Sequence, residues 1–369
     1  MKKKIVIAAG GTGGHLFPAQ ALAQKIVEAD PEIEIYFLAS HLSSNPNFQR
    51  TFAFVDIVSS TLGKNPLMWP FALAKLFWGT LEALYVLARL KADLVIGFGS
   101  FHTAPVLAAA RRLKIPYILH ESNAIPGKVT KLFSKKAKWC GCFFKSAAAM
   151  LGPTSRMVNV PLRDQFQKDK MASCQDARLH YGLDPEKMTL LIFGGSQGAK
   201  KINELMVQNL AVIPADFQII HFTGLNKAES IAECYKKAKI SAFVAEFEPE
   251  MAYAWAAADL AICRAGAGAI AESLSCQVPC LFIPYPFAYN HQETNARNLV
   301  AESQCGSVIC ERELQGDAFE KKLKILLNKE QIRSMKHNLS AYVEHSDMLD
   351  FYTEVMHELE GGKDERKDS

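Results

Sequence analysis

Two glycine-rich segments, each directly after a short apolar run, constrain the fold of this chain more than any other feature. Residues 10–14 follow the run 4–9, and residues 194–198 follow the run 190–193. Glycine after a strand lets the backbone turn tightly, and the N–H groups at the start of the next helix can receive a phosphate. Leu16 stands where a dinucleotide-binding fingerprint needs its third glycine, so the first loop is not of that type. The repeat predicts two similar domains, each opening with a strand, a glycine loop and a helix.

Further apolar runs alternate with helix-like stretches, which is typical of an α/β protein built on parallel sheets. The predicted strands are residues 4–9, 33–38, 94–97 and 116–119 in one series and 190–193, 218–222, 260–262 and 279–283 in the other. We therefore predict a Rossmann-like domain over residues 1–161 and a second over residues 162–345. A helix at about 346–359 is expected to pack back on the first domain, and residues 360–369 to form a disordered tail.

Charge is distributed unevenly between the two predicted domains. Residues 1–160 contain 19 Lys and Arg against 8 Asp and Glu, a net charge of +11, whereas the whole chain carries +4. This asymmetry points to an anionic partner, either nucleic acid or a lipid surface, although unevenly solvated charge would give the same count. The sequence has no basic motif interleaved with aromatic residues of the RNA-binding type, so we expect no nucleic-acid partner.

The most apolar stretch, residues 66–90, is interrupted by charged residues and a proline, and we do not expect it to span a bilayer. It should form either a helix pair packed into the core or a hairpin whose aromatic residues dip into a bilayer surface. Five lysines at residues 128–138 favour docking on an anionic membrane surface. The expected membrane contacts are Trp69, Phe71, Phe77, Trp78, Lys131, Lys135 and Lys136.

The cysteines argue against a metal site. The chain has nine, without the paired C-x-x-C spacing of zinc sites and without an H-E-x-x-H segment. An odd number of cysteines with no secretory signal before them predicts a reducing, cytosolic setting.

In the first predicted domain, two polar residues follow strands at the edge where parallel sheets bind ligands. His15 lies at a helix start, where the positive end of the helix disfavours the cationic ring, so it could act as a base. A structural histidine that caps a turn is the alternative. Asn123 offers a donor and an acceptor to sugar groups.

The second domain carries a comparable set. Glu272 would accept the hydroxyls of a ribose and Arg264 would meet a diphosphate; an ordinary surface carboxylate and an ordinary ion pair are the alternatives. His291 and Gln292 carry the hydrogen-bonding groups that a sugar needs.

Taken together, these segments resemble the MurG family of peptidoglycan glycosyltransferases. The motifs concerned are Gly10-Gly-Thr-Gly-Gly-His15-x-x-Pro18, His120-Glu-x-Asn123, Pro161-x-Arg163, Gly194-Gly-Ser-Gln-Gly-Ala199, Cys263-Arg-x-Gly-Ala267 and Gln292-x-x-Asn295-Ala296. The resemblance implies the GT-B fold, with two Rossmann-like α/β domains and a deep interdomain cleft. It also implies inverting transfer of N-acetylglucosamine from UDP-N-acetylglucosamine to the C4 hydroxyl of the muramyl sugar of lipid I (undecaprenyl-diphosphate muramyl-pentapeptide), which gives lipid II. No cofactor and no nucleotide-bound metal are expected.

By the same resemblance, the protein would be peripheral on the cytoplasmic face of the cell (inner) membrane and would act in cell-wall biogenesis, cell shape and division. Its partners would be the UDP-sugar, lipid I, the anionic membrane surface and other cell-wall synthesis proteins.

Residue roles follow by position from the resemblance. Thr12, Gly13 and Gly14 would line the donor diphosphate and sugar, with His15 as the base. Asn123 would contact the N-acetylglucosamine, Arg163 the nucleotide and Ser196 the diphosphate. The nucleotide would lie along Ala267, Gly268, Ala269, Ile270, Ala271 and Glu272, with Glu272 on the ribose. Gln292, with His291 beside it, would read the sugar hydroxyls.

The sequence departs from the family pattern at residues 97–105, where Ser100 replaces a glycine and leaves less room for the acceptor diphosphate. Two other functions stay open. One is a related GT-B transferase with another lipid acceptor, and the other is a non-catalytic, membrane-bound cell-wall scaffold.

Overall fold

The computed structural model describes residues 2–63, 65–195, 198–286 and 291–361. The chain divides into two compact units, the first made of Met1–Arg163 and Asp347–Ser369 and the second of Asp164–Ser346. The boundary predicted after residue 161 lies close to this division. Of the predicted tail, residues 362–369 lie outside the described residues.

The first unit is a parallel sheet of seven strands with helices between them. Its strands are β1 Lys4–Ala8, β2 Glu34–Ala39, β3 Ala53–Asp56, β4 Leu94–Gly97, β5 Tyr117–Glu121, β6 Cys140–Cys142 and β7 Ser155–Met157. The order across the sheet is β3-β2-β1-β4-β5-β6-β7. The helices are α1 Gly13–Ala29, α2 Trp69–Leu90, α3 Ala104–Leu113, α4 Lys128–Ser134, α5 Lys145–Leu151 and, from the end of the chain, α14 Phe351–Leu359.

The second unit repeats this arrangement with six strands. They are β8 Met188–Phe193, β9 Phe217–Phe222, β10 Ala242–Ala245, β11 Leu260–Cys263, β12 Cys280–Phe282 and β13 Gly306–Val308, in the order β10-β9-β8-β11-β12-β13. Its helices are α6 Cys174–His180, α7 Lys200–Gln208, α8 Ala228–Lys237, α9 Met251–Ala257, α10 Ala267–Cys276, α11 His291–Ser303, α12 Ala318–Leu326 and α13 Lys329–Glu344. The prediction of two Rossmann-like parallel sheets is confirmed.

In both sheets the chain begins at a central strand, runs to one edge and then returns to the other side of that strand. Strand β1 therefore pairs with both β2 and β4, and β8 pairs with both β9 and β11. Ligands of open parallel sheets bind beyond the carboxyl ends of the strands at such a reversal. In each unit, this is the edge at which the glycine-rich segment follows the first strand.

Helix α2 corrects the expectation of a helix pair or hairpin, because a single helix of 22 residues follows a short 3₁₀ turn at Pro66–Met68. Its buried residues are mostly small. A Cβ added to Gly79 would lie 1.7 Å from the Val58 carbonyl oxygen, so glycine is required there. The Glu82 carboxylate accepts a hydrogen bond of 2.8 Å from the Val58 N–H.

Length and composition alone do not exclude a membrane span for this segment. The segment Pro66–Leu90 is long and apolar enough to cross a bilayer. Its most apolar stretch has a mean hydropathy of 1.4, and 22% of that stretch is buried. The close packing of Gly79 and Glu82 on Val58 instead attaches one side of α2 to the first unit. We therefore interpret α2 as a surface helix of that unit.

Helix α14 packs into the core of the first unit. Phe351 is fully buried, with its ring centroid 5.6 Å from that of Trp139 and 4.7 Å from that of His120. An ion pair of 2.7 Å joins Glu354 to Arg156. The predicted helix at 346–359 begins later, at Phe351, because Leu349 forms a β-bridge with Val158.

Candidate functional site

The loop between β1 and α1 presents backbone N–H groups at the start of a helix of 17 residues. Thr12 is the N-cap residue in an extended conformation, and its carbonyl accepts hydrogen bonds from the N–H groups of His15 and Leu16 at 3.0 Å each. Gly13 and Gly14 form the first turn, and Thr12 and Gly14 are exposed. A helix start of this kind favours an anionic group, which is the setting predicted for a diphosphate.

The ring of His15 lies between two glycine loops. A Cβ on Gly10, after β1, would lie 3.2 Å from His15 Cδ2, and one on Gly99, after β4, would lie 3.4 Å from His15 Cε1. These glycines therefore leave the space that the imidazole occupies. Because β1 and β4 are neighbours, the sheet topology brings the two loops together at one edge.

Ser100 keeps a backbone conformation that normally belongs to glycine. Its φ and ψ are 76° and 152°, a region in which a side chain costs about 1–3 kcal/mol. A Cβ on Gly10 would lie 2.6 Å from the Ser100 Cβ, so the two loops are in contact. The Ser100 side chain therefore lies against the Gly10 loop, beside His15.

A second imidazole lies near His15 that the sequence interpretation did not single out. His102 Nδ1 is 2.7 Å from the Ser40 hydroxyl oxygen. The pKa of His102 is lowered, chiefly by burial and further by the neighbouring His41 and His15 rings. His102 is therefore neutral at neutral pH. The only sequence signal was its place within the altered loop.

Asn123 is held by a buried carboxylate two residues earlier. Glu121 Oε1 accepts hydrogen bonds from the Asn123 backbone N–H at 3.1 Å and side-chain amide at 3.2 Å. Glu121 Oε2 accepts one from the Gly127 N–H at 2.9 Å. Glu121 thus fixes the loop between β5 and α4, a role missed because two of its three hydrogen bonds here come from backbone N–H groups.

Arg163 lies at the end of the first unit. Its guanidinium carbon is 5.5 Å from the centroid of the Phe17 ring, a cation–π contact with helix α1. This contact places Arg163 beside the helix that carries His15.

In the second unit, Gly266 is the N-cap residue of α10, and residues 267–272, predicted to hold the nucleotide, form its first six positions. The carboxylate of Glu272 is half-buried, and its Oε2 accepts a hydrogen bond of 2.9 Å from the Trp255 indole N–H of α9. The helix start and a fixed carboxylate therefore occur together on α10. Sequence reasoning found Glu272 but not Trp255.

Arg264, predicted to meet a diphosphate, has several partners within the second unit. Its guanidinium forms an ion pair of 2.7 Å with Glu311 and donates to the carbonyl oxygens of Ile283 and Pro284 at 2.9 and 3.2 Å. The guanidinium carbon of Arg264 also lies 5.5 Å from the centroid of the Tyr285 ring. Arg264 therefore supports the segment after β12, because its charge is already matched by a carboxylate.

The same segment is held from α11. Gln292 Oε1 accepts a hydrogen bond of 2.9 Å from the Tyr285 backbone N–H, and His291 is the first residue of that helix. Ser196 and residues 287–290 lie outside the described residues. Within the part of the chain that is described, no three His, Cys, Asp or Glu side chains are grouped so as to hold a metal ion.

The residues expected to meet a membrane are exposed. Trp69, Phe71, Phe77 and Trp78 on α2 expose 44%, 67%, 66% and 60% of their surfaces. Lys131 on α4 and the following Lys135 and Lys136 are also exposed. Exposed large apolar side chains in such number on one helix mark an interaction surface.

Comparison with known proteins gives concordant matches along the chain. Residues 5–141 match the model of the glycosyltransferase family 28 N-terminal domain, and residues 189–349 match that of the family 28 C-terminal domain. A UDP-N-acetylglucosamine--N-acetylmuramyl-(pentapeptide) pyrophosphoryl-undecaprenol N-acetylglucosamine transferase of Protochlamydia amoebophila is 38% identical over 348 residues, 93% of this chain and 92% of that protein. The protein of the same name from Chlamydia felis is 34% identical over 362 residues, 95% and 98% of the two chains.

Solved structures agree with these matches. The crystal structure of MurG from Acinetobacter baumannii is similar with a TM-score of 0.76 and 25% identity, over 97% of this chain and 99% of that one. A UDP-glucose: anthocyanidin 3-O-glucosyltransferase in complex with UDP shares the fold alone, with a TM-score of 0.67 and 15% identity over 98% and 100% of the chains.

The two parallel sheets, their glycine loops and these matches define a UDP-sugar glycosyltransferase of family 28 with the two-domain α/β GT-B fold. Within that class, the chain belongs to the MurG family.

Proposed function

We propose that this chain transfers N-acetylglucosamine from UDP-N-acetylglucosamine to the C4 hydroxyl of the muramyl sugar of lipid I, giving lipid II for peptidoglycan synthesis. Such an activity serves cell-wall assembly, and through it cell shape and division. The observation that carries the proposal, beside family membership, is His15 held at the start of α1 between the loops that contain Gly10 and Gly99.

In the proposed reaction, the muramyl C4 oxygen attacks the anomeric carbon of the donor from the face opposite UDP. A C–O bond forms there as the bond to the UDP oxygen breaks, and His15 accepts the hydroxyl proton. The positive end of the helix dipole disfavours a cationic group at the first turn of α1, and His15 is proposed to accept the proton there in its neutral form. The sugar is transferred with inversion.

The departing UDP carries the developing negative charge. In our proposal, the N–H groups at the start of α10 and in the loop of Thr12, Gly13 and Gly14 stabilise it, because oriented dipoles act strongly on charge that develops in a sheltered site. Ser196 is proposed to bind the diphosphate from the second glycine loop. Arg264 is not assigned to the diphosphate, since Glu311 already pairs with it.

The rest of the donor is assigned to the other predicted residues. Asn123, oriented by Glu121, would contact the N-acetylglucosamine, and Arg163 the nucleotide. Glu272 would accept the ribose hydroxyls. Gln292 and His291, at the start of α11, would read the sugar hydroxyls.

We also propose that the first unit docks peripherally on the anionic cytoplasmic face of the cell membrane, where lipid I would be reached. Exposed Trp69, Phe71, Phe77 and Trp78 would enter the interfacial layer, and exposed lysines would meet anionic headgroups. Other cell-wall synthesis proteins are proposed as further partners.

The test is transfer of radiolabelled N-acetylglucosamine from UDP to a lipid I analogue, with and without EDTA. We expect transfer in both conditions, and more than 100-fold less in His15→Ala. Binding of UDP-N-acetylglucosamine without transfer would point to another lipid acceptor or to a scaffold. Near-normal turnover in His15→Ala would remove His15 as the base.

A further inference from the structure

The hydrogen bond between Trp255 and Glu272 joins two helices of the second unit. Trp255, on α9, is fully buried, and its indole N–H donates over 2.9 Å to Oε2 of Glu272 on α10. An indole has a single donor and no acceptor, so the bond has one direction. The carboxylate must therefore turn to meet the indole.

Packing fixes the ring that makes this bond. The Phe193 ring, at the end of β8, meets Trp255 edge to face with the centroids 5.5 Å apart. A fully buried, packed aromatic ring has little freedom to swing. The position of the N–H is thus set by the core and not by the carboxylate.

Burial alone does not account for the bond. Trp139 is also buried, with 1% of its surface exposed, and its indole nitrogen has no hydrogen-bond partner among the described residues. A buried indole in this protein is therefore not always paired. The contact of Trp255 with a carboxylate is a particular feature of α9 and α10.

The surroundings make a neutral donor suitable. Burial raises the pKa of the nearby Cys263 and Cys276 thiols, and the negative charge of Glu272 raises both further. An indole N–H holds the carboxylate there without adding a positive charge, as a lysine or arginine would. A carboxylate that accepts from a neutral indole is not engaged in an ion pair by this contact, and its other lone pairs can accept from further donors.

We propose that Trp255 is a positioning residue that orients the Glu272 carboxylate toward the nucleotide ribose, and so makes the site prefer ribose to 2′-deoxyribose. This inference rests on the proposed function, in which Glu272 accepts the ribose hydroxyls. Two adjacent hydroxyls donate best to a carboxylate whose plane is already set, because ordering a rotating carboxylate on binding costs entropy.

The test is the affinity of the full chain for UDP and for 2′-deoxy-UDP, measured by calorimetry. We expect wild type to prefer UDP by about tenfold or more, as for a hydrogen bond to a charged group. Trp255→Phe should weaken the affinity for UDP severalfold and leave the affinity for 2′-deoxy-UDP nearly unchanged. The preference for UDP should then fall to about threefold or less. Trp139→Phe, which removes a buried indole of the first unit that makes no hydrogen bond to a described residue, is the matched control and should keep the wild-type preference.

A second variant separates the hydrogen bond from ring volume. Placing 3-benzothienylalanine at position 255 replaces the N–H by sulfur in a ring of similar shape, and should reproduce the loss of preference without the lower melting temperature of a smaller ring. Glu272→Ala should abolish the preference.

Two outcomes would overturn the inference in distinguishable ways. If Glu272→Ala loses the preference while both Trp255 variants keep it within twofold, Glu272 reads the ribose but Trp255 does not orient it. If wild type shows no preference, or Glu272→Ala retains it, the ribose role of Glu272 in the proposed function fails, and the inference fails with it.

Discussion

Arg264 and Glu311 form an ion pair of 2.7 Å in which the arginine side chain is only 12% exposed. The same guanidinium holds the carbonyl oxygens of Ile283 and Pro284. The pair therefore fixes the start of the segment that leads to α11, where Gln292 holds Tyr285 from the other side.

Glu311→Gln should leave the Arg264 charge largely buried without its counter-ion. We expect a loss of about 2 kcal/mol in the free energy of unfolding, and a severalfold higher KM for UDP-N-acetylglucosamine as the 283–286 segment loosens. Asp216→Asn, which breaks an exposed pair with Lys329, is the matched control and should change neither quantity measurably. An unchanged KM in Glu311→Gln would mean that the segment does not contribute to donor binding.

Glu121→Gln tests the support of Asn123. In the wild type, each carboxylate oxygen of Glu121 accepts a hydrogen bond from a backbone N–H. The glutamine amide has one acceptor oxygen, and its NH₂ group would face one of these N–H donors. The loop should therefore distort, at a cost of about 2 kcal/mol in the free energy of unfolding. We expect a tenfold or greater fall in transfer and a weaker affinity for UDP-N-acetylglucosamine. Affinity for UDP, which lacks the sugar, should be unchanged; an equal loss for both ligands would contradict a role at the N-acetylglucosamine.

The sequence predicted the parts of this molecule that depend on local pattern. Apolar runs followed by glycine located β1 and β8 and the loops after them, because tight turns at strand ends require glycine whatever lies around them. Most of the shortest strands were not predicted, although Cys280–Phe282 lies within the predicted run 279–283. Cys140–Cys142 and Gly306–Val308 are strands of three residues, too short to show a period, and they are strands because neighbouring strands pair with them.

Tertiary partners explain the rest. Arg264 was predicted to meet a diphosphate because nothing near it in sequence shows Glu311 as its counter-ion. The hydrogen bond from Trp255 to Glu272 joins separate helices, so it follows from packing alone. A helix pair or a hairpin was expected where α2 is one helix. The helix is continuous because Pro70 lies in its first turn, where proline is tolerated.

The α2 surface should bind liposomes through its aromatic side chains. Phe71, Phe77 and Trp78 are each at least 60% exposed, and replacing all three by Ser should lower binding to anionic liposomes at least tenfold in a flotation assay. Leu179→Ser with Ile325→Ser, two exposed apolar residues of the second unit, is the control and should leave binding unchanged. Equal binding by the α2 variant and wild type would exclude this helix as the docking surface.

The lysines should act through charge. Replacing Lys131, Lys135 and Lys136 by Gln should weaken binding to anionic liposomes by up to about 100-fold at low salt, since each basic residue near an anionic leaflet contributes about 1 kcal/mol. Binding to neutral liposomes should not change. High salt should lower the binding of wild type to anionic liposomes nearly to that of the variant, because mobile ions screen exposed charges. A variant that retains wild-type preference for anionic lipid would show that these lysines do not face the membrane.

Acid should destabilise the first unit through His120. Burial lowers the pKa of His120 from 6.5 to about 4, against a smaller opposing effect of its hydrogen bond with the Asn159 carbonyl. The unfolded chain therefore binds a proton between these pH values that the folded chain does not. The contribution of His120 to the free energy of unfolding is fully present above about pH 6.5 and is lost as the pH falls toward 4. The loss from this residue is at most about 3 kcal/mol.

Thermal unfolding between pH 7.5 and 4.5 measures this loss. His120→Gln, which can still donate to the Asn159 carbonyl and accept from Ser122, should show a shallower fall in melting temperature over the same range. Some slope should remain, because burial also lowers the pKa of His221 in the second unit, to about 3. If the variant and wild type lose stability in parallel, His120 is not the group whose protonation opposes folding, and the acid sensitivity lies elsewhere in the chain.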